Sequence, residues 1–457
     1  MDAATVIGPV EGGKGRPFAA PSAGEVPAHY VVEEYLLEGT ARSYRPVGEA
    51  GIDGRWTVEP DDEAGYRTRM FVVRPRDAAD FNGIVVVNWQ NVTAGVDIGV
   101  PPPEAYRGDA WVGVSAQHVG VHGQADQGDG RPATGGLPIE DPDRYSTLHH
   151  PGDAFSYDIF TQAARTLAPG REVGDVDPLG GLEPATILAT GGSQSAMRLG
   201  SYLDAVHSRE QLFDGYLLTL HFGICPRPPD QWPVGDVSRA DGAPSPASAR
   251  IRDDIVAKVI VVCSEGETMS MYPVRQPDSD TFRYWEIAGT AHATGGGLDA
   301  LMERGGAAIF SGLDDFHPNT VRWDYVSDAA LRHLVAWVTR GEAPPQFARI
   351  EVEDGPPAAI RRGEDDNAVG GLRVPELAAP SARHRGGNDG NRMLALLGQS
   401  IPYSAEELQA RYPDRDAYVA AWDAGVDDLV ATGLDIDRDV DVLRARGRAL
   451  ADQLFTG

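Results

Sequence analysis

Cysteine and lysine are nearly missing from this chain: Cys225 and Cys263 are its only cysteines, Lys14 and Lys258 its only lysines. Two cysteines make no disulfide framework, and Cys263, at the end of an apolar run, is expected to be a buried small hydrophobe. Long apolar runs are lacking too. No stretch approaches the roughly twenty residues that a bilayer crossing needs, so no membrane span is expected. Residues 1–18 hold no apolar signal core. That points to a cytoplasmic protein, secreted only if a leader has been removed. Positive charge is short as well: 40 basic residues face 68 acidic ones, for a formal net charge of -28. A polyanion of this size repels phosphate backbones and anionic lipid, so nucleic-acid and membrane-surface binding are not expected. Metal-ligand spacing is also absent. His149, His150 and Asp153 come nearest, without an H-E-x-x-H or a spaced His/Cys set, and neither metal nor cofactor is expected. Gly295-Gly296-Gly297 lacks the lysine of a phosphate loop.

What remains is a chain of 457 residues, long enough to bury a large core. Tyr30–Tyr44 and Tyr66–Arg74 read as antiparallel edge strands, with β-branched and aromatic residues between Gly, Pro and Asp. Short continuous apolar runs follow at 83–88, 110–115, 186–190, 215–220 and 257–263. Runs of that kind fit strands covered on both faces, as in a parallel sheet. Helical patterns lie between and after them, at 156–167, 196–207 and 329–339. The alternation predicts a mostly parallel, doubly wound α/β sheet with flanking helices. A core over residues 1–340 is expected, with an insertion or lid at about 222–254. Residues 341–457 would form an extension packed on that core, helical at 404–411, 415–432 and 437–455.

The sharpest chemical signal is Thr186-Ile-Leu-Ala-Thr-Gly-Gly-Ser193-Gln-Ser-Ala-Met197, a strand, a tight turn and a helix. A serine can be displayed at such a bend only where the residues two before and two after are small. Gly191 and Ser195 meet that need around Ser193. Around Ser195 the flanks would be Ser193 and Met197, and Met is too large. Ser193 is therefore the candidate nucleophile, with the Gln194 N–H at the helix start as an oxyanion donor.

A serine nucleophile needs an imidazole, and the imidazole needs a carboxylate to orient it. In hydrolases of this architecture the chain order is Ser, acid, His. His292 follows a short strand and precedes a glycine-rich loop, which makes it the candidate base; His317 is second, and His333 lies in a helical pattern. Two carboxylates follow the run 257–263, Glu265 and Glu267. Reach favours Glu267, and both remain candidates. The second oxyanion donor is expected from the loop after Val85–Val87, at Trp89 or Gln90. Asn91 and Trp111 are candidate substrate contacts, although the core is the better expectation for Trp89 and Trp111.

Several blocks taken jointly, among them Val87-Asn-Trp-Gln-Asn-Val-Thr93, Asp141-Pro-Asp-Arg-Tyr145, His150-Pro-Gly-Asp153, Gly191-Gly-Ser-Gln-Ser195 and Trp285-Glu-Ile-Ala-Gly-Thr-Ala-His292, resemble the bacterial "alpha/beta hydrolase domain-containing" family. The resemblance runs from near residue 7 to the C-terminal helices. It implies an α/β-hydrolase fold, Ser193 as nucleophile, His292 as base and an acid within Ser264–Glu267. Two departures stand out: Ala196 replaces a usual glycine, and Ala293-Thr294 replaces a frequent acidic residue after the base. The expected activity is hydrolysis of a carboxylic ester, with a small, partly apolar ester as substrate. The aromatic residues Trp232, Tyr403, Tyr412 and Trp422 motivate the apolar part. An acyltransferase or amidase with the same triad, or a binding protein on a degenerate hydrolase fold, are the alternatives. A homo-oligomer is compatible with the sequence.

Overall fold

The apolar runs become the middle of one nine-stranded sheet. The computed structural model describes residues 3–21, 24–126, 133–228, 242–293, 317–387 and 392–455. The strands are β1 (Thr5–Ile7), β2 (Tyr30–Pro46), β3 (Val58–Pro75), β4 (Ile84–Trp89), β5 (Ala110–Val114), β6 (Thr186–Gly192), β7 (Gly215–Thr219), β8 (Lys258–Ser264) and β9 (Phe282–Ile287). Their order is β1-β2-β3-β5-β4-β6-β7-β8-β9. β1 to β3 are antiparallel, and β3 pairs antiparallel with β5. From β5 to β9 every pair is parallel. The C-terminal ends of all six parallel strands therefore meet along one edge, where an open α/β sheet places its ligands.

Period-two alternation sends neighbouring side chains to opposite layers. Val85, Val87, Trp89, Ile187, Ala189, Tyr216 and Leu218 enter one core, with helices α1 (Ser156–Arg165) and α2 (Gln194–Ser201). Val86, Leu188, Leu217, Ile260, Val262, Trp285 and Ile287 enter the other, against α3 (Asp324–Arg340). Because both faces are covered, these strands read as unbroken apolar runs. The second core also takes in α4 (Arg415–Ala431) and α5 (Val440–Leu454) through Trp422, Val426, Leu429 and Leu443. A Cβ on Gly447 would stand 2.3 Å from the Trp422 ring, so only glycine allows the two helices to come this close. Tyr403, Tyr412 and Trp422 donate to the carbonyls of Asp365, Pro380 and Leu443. These three rings pack the C-terminal segment. Trp232, like residues 229–241 of the expected insertion and Gly295–Gly297, lies outside the described residues.

A buried charge network joins the antiparallel edge to the loop after β4. Arg69 pairs with Glu34 at 2.8 Å and with Asp97 at 3.0 Å, all three side chains fully buried. Arg144 also pairs with Glu34, and the Tyr145 hydroxyl donates to it at 2.9 Å. Removing one member of such a set strands the others without counter-charge. Glu34→Ala is expected to lower the unfolding free energy by about 3–5 kcal/mol, read by chemical denaturation. A change below about 1 kcal/mol, the size typical of an exposed pair, would contradict this account.

Candidate active site

β6 ends in a bend that few residues tolerate. Ser193 has φ 57° and ψ -119°, a left-handed backbone that costs a non-glycine residue about 1–3 kcal/mol. A Cβ at Gly191 would press within 3.0 Å of Leu199 and of the Ser195 main chain, which is why the residue two before the bend must be small. Three contacts hold the turn. The Ser193 N–H donates to the Thr219 carbonyl at the end of β7, 2.9 Å. The Ser195 hydroxyl bridges the Gly192 N–H and carbonyl, both at 2.9 Å. The Asn91 side-chain amide donates to the Gly192 carbonyl, 2.8 Å. Ser195 is thus buried and occupied, while the half-buried Ser193 hydroxyl has no hydrogen bond among the described residues.

The two glutamates after β8 do different work. Glu267 Oε1 lies 2.8 Å from His292 Nδ1. Its other oxygen accepts from the Ser264 N–H (2.8 Å) and hydroxyl (2.7 Å), and Ser264 in turn accepts from Gly266 N–H, a capping box. The carboxylate is fully buried and fixed from both sides. Glu265 turns away. It accepts from the Gly289 N–H (2.7 Å) and the Gly386 N–H (3.1 Å), and pairs with Arg362 at 2.8 Å. It staples the turn before His292 to the C-terminal segment and leaves the imidazole alone.

His292 presents its ring at the same edge of the sheet as Ser193. Each follows the C-terminal end of a parallel strand, β9 and β6 respectively. The ring stacks on Phe222, centroids 5.1 Å apart. Phe222 packs with Met197, one helical turn past the bend. His317 is exposed, and among the described residues its carbonyl alone is engaged, by the Ser400 N–H. His333 sits on α3 against Trp285 and accepts from the Asp435 N–H.

The sites expected on the loop after β4 need correction. The Gln90 N–H is bonded to the Val114 carbonyl (3.2 Å), so it is not free for an oxyanion. The Trp89 ring is buried against Phe160 and Tyr157, as expected of a core residue. The Asn91 amide holds the bend, and its carbonyl oxygen accepts from Thr93 N–H, so its side chain is first of all a brace for the turn. Trp111 is 1% exposed and packs on Phe71 in the layer opposite α2. The Val92 N–H, which the sequence did not single out, has no partner among the described residues. At the start of α2 the Gln194 N–H has no intrahelical acceptor.

Beneath the bend lies a polar support that motif reading missed. Gln117 Oε1 accepts from the Trp89 indole (3.0 Å) and from the Gln194 amide (2.9 Å). Asp153 accepts from Arg198 of α2 (2.8 Å) and from the His118 N–H (2.8 Å). Burial penalises its charge, but Arg198 and the His118 N–H hold its pKa below the usual value. His150 accepts from the Gly152 N–H and donates to the Ala116 carbonyl, and burial pushes its pKa down to about 4. Asp153 and His150, residues of the nearest metal-like set, are therefore structural partners here.

A family described as "Alpha/beta hydrolase domain" matches residues 6–445. No curated protein matches the chain. A putative dienelactone hydrolase from Klebsiella pneumoniae subsp. pneumoniae MGH 78578 is 12% identical with a TM-score of 0.29, covering 66% of this chain and 99% of its own. Oligopeptidase B from Leishmania major is 12% identical, TM-score 0.28, over 57% of this chain and 33% of its own. An esterase, Est22, is 12% identical, TM-score 0.27, over 57% and 72%.

The split between the glutamates is testable without any substrate. Glu265→Ala exposes two N–H groups and Arg362 to the loss of a buried acceptor, and is expected to cost about 2–3 kcal/mol of stability in a denaturant titration. An unchanged midpoint would mean that Glu265 is not the staple described.

Proposed function

The chain belongs to the alpha/beta hydrolase domain family, and from that premise we propose that it is a serine hydrolase acting on carboxylic esters. The observation that carries the reading is the pairing of His292 Nδ1 with a fixed, buried Glu267 at the edge where a strained serine is displayed. Nδ1 on the carboxylate sets the tautomer, so Nε2 is the nitrogen left to take the Ser193 proton.

In the proposed cycle, Ser193 Oγ attacks the ester carbonyl as His292 Nε2 removes its proton. The oxyanion is received by the Gln194 N–H and, from the loop after β4, by the Val92 N–H. His292 then protonates the departing alcohol, and the acyl group stays on Ser193. Water, deprotonated by His292, attacks the acyl-enzyme; His292 then returns the proton to Ser193 Oγ as the acid leaves. Glu267 holds the ring in place and steadies the imidazolium. Transfer to an alcohol or cleavage of an amide would use the same groups, differing in the nucleophile or leaving group that gains access.

A fluorophosphonate probe tests the nucleophile: it is expected to label the chain, and Ser193→Ala to abolish labelling. Labelling that persists in that variant places the reactive hydroxyl elsewhere. Glu267→Gln keeps the shape but offers His292 an amide. It is expected to lower kcat on a p-nitrophenyl ester by about four orders of magnitude, with little change in KM. A fall of less than tenfold would remove Glu267 from the triad.

A further inference from the structure

The turn after β7 is bent as sharply as the one that displays Ser193. Leu220 has φ 56°, and of the five non-glycine residues with positive φ among the described residues it is the only large apolar one. A bulky side chain at that angle is an outlier that its surroundings must hold in place. The two strained residues stand next to each other on adjoining strands: the Ser193 N–H donates to the carbonyl of Thr219, the residue before Leu220.

The bracing of this turn is extensive. The Leu220 N–H donates to the Val262 carbonyl of β8 at 2.7 Å. His221 Nδ1 accepts from the Gly223 N–H at 3.0 Å, and the His221 carbonyl accepts from the Cys263 thiol at 3.1 Å. Burial pushes the His221 imidazole down to about 4, which keeps it a neutral acceptor. Gly223 turns the chain again with φ 67°, and a Cβ there would stand 2.5 Å from Val274. Residues 247–249 close the turn from behind: the Cys225 N–H donates to the Ala247 carbonyl (3.0 Å) and the Ala249 N–H to the Gly223 carbonyl (3.1 Å).

What this bracing delivers to the edge of the sheet is one ring. Phe222 is 4% exposed, and its plane lies 28° from that of His292 with the centroids 5.1 Å apart. Met197, Ile224, Ala247 and Leu396 pack round it. The Leu396 carbonyl also accepts from the Ala293 N–H at 2.9 Å, so the residue after the base is held from the same quarter. The bond from Nδ1 to Glu267 fixes one point of the imidazole, not the tilt of its plane. A flat neighbour supplies the missing constraint, and with it the direction of Nε2. An aliphatic side chain of similar bulk would fill the space without defining a plane. It would also lack the negative π face, which attracts a cation lying over it.

We propose that Phe222 is a positioning residue for the base: aimed by the strained turn at Leu220, its ring sets the plane of His292 and attracts the positive charge that the imidazole acquires during turnover. This role rests on the hydrolase reading of Ser193, Glu267 and His292. Phe222 acts through His292 and takes no part in bond making.

Turnover of p-nitrophenyl acetate by the full chain and two variants tests it. Phe222→Leu fills the site without a π face and is expected to lower kcat about tenfold, with KM within about twofold. Phe222→Tyr keeps the face and is expected to stay within about threefold of the parent kcat. A second measurement needs no turnover. In chains whose histidine rings carry carbon-13, the His292 C–H signals are identified by their loss in His292→Gln. They are expected to lie upfield under the Phe222 face and to move downfield in Phe222→Leu. A Phe222→Leu variant as fast as the parent, a Phe222→Tyr variant as slow as Phe222→Leu, or His292 signals that do not move would each overturn the proposal. A parent chain that neither hydrolyses the ester nor takes a fluorophosphonate label overturns the hydrolase reading itself, and the role of the ring falls with it.

Discussion

A serine with φ 57° does not stay at that angle unaided; its surroundings must hold it there. The loop after β4 holds it through Asn91, the end of β7 through the Thr219 carbonyl, and its own helix through Ser195. The strain is local, and the contacts opposing it come from the loop after β4, the end of β7 and the first turn of α2. Much of the architecture follows from this one bend. β6 must be central so that β4 and β7 can flank it, and α2 must begin at once so that its first N–H groups point outward without acceptors.

The parallel sheet solves a second problem, that of gathering groups from distant parts of the chain. Ser193, Glu267 and His292 span a hundred residues, yet each follows the C-terminal end of a strand running the same way. Reaching His292 from β8 then depends on two residues of phase. Glu267 falls at the third position of the capping box that begins at Ser264, where one oxygen is tied back and the other points to Nδ1. Glu265, two residues earlier, faces the C-terminal segment and becomes part of its attachment. The extension is thus coupled to the turn before His292 through a buried carboxylate.

Support below the edge is polar where one would expect hydrocarbon. Gln117 accepts from both Trp89 and Gln194, and so fixes the start of α2 against the strand whose loop faces it. The Arg198–Asp153 pair does the same one turn further down. Buried hydrogen bonds of this kind position groups with an accuracy that apolar packing, which tolerates slippage, does not supply.

The sequence by itself determined the layers, the elements and the bend. Unbroken apolar runs mark strands covered on both sides, and the small residues at 191 and 195 single out Ser193, because both signals arise from neighbours along the chain. It narrowed the acid to two glutamates and by reach favoured Glu267, and there its power ended. Which carboxylate meets His292 depends on a hydrogen-bonded turn and on Gly386, which lies 121 residues away. The same limit explains the corrections. Gln90 N–H is taken by a carbonyl of β5, Asn91 by the main chain at Gly192, and Trp111 by the core beneath α3. Only the tertiary structure decided these, because a hydrogen bond saturates its donor and sequence spacing carries no record of which distant acceptor arrives first.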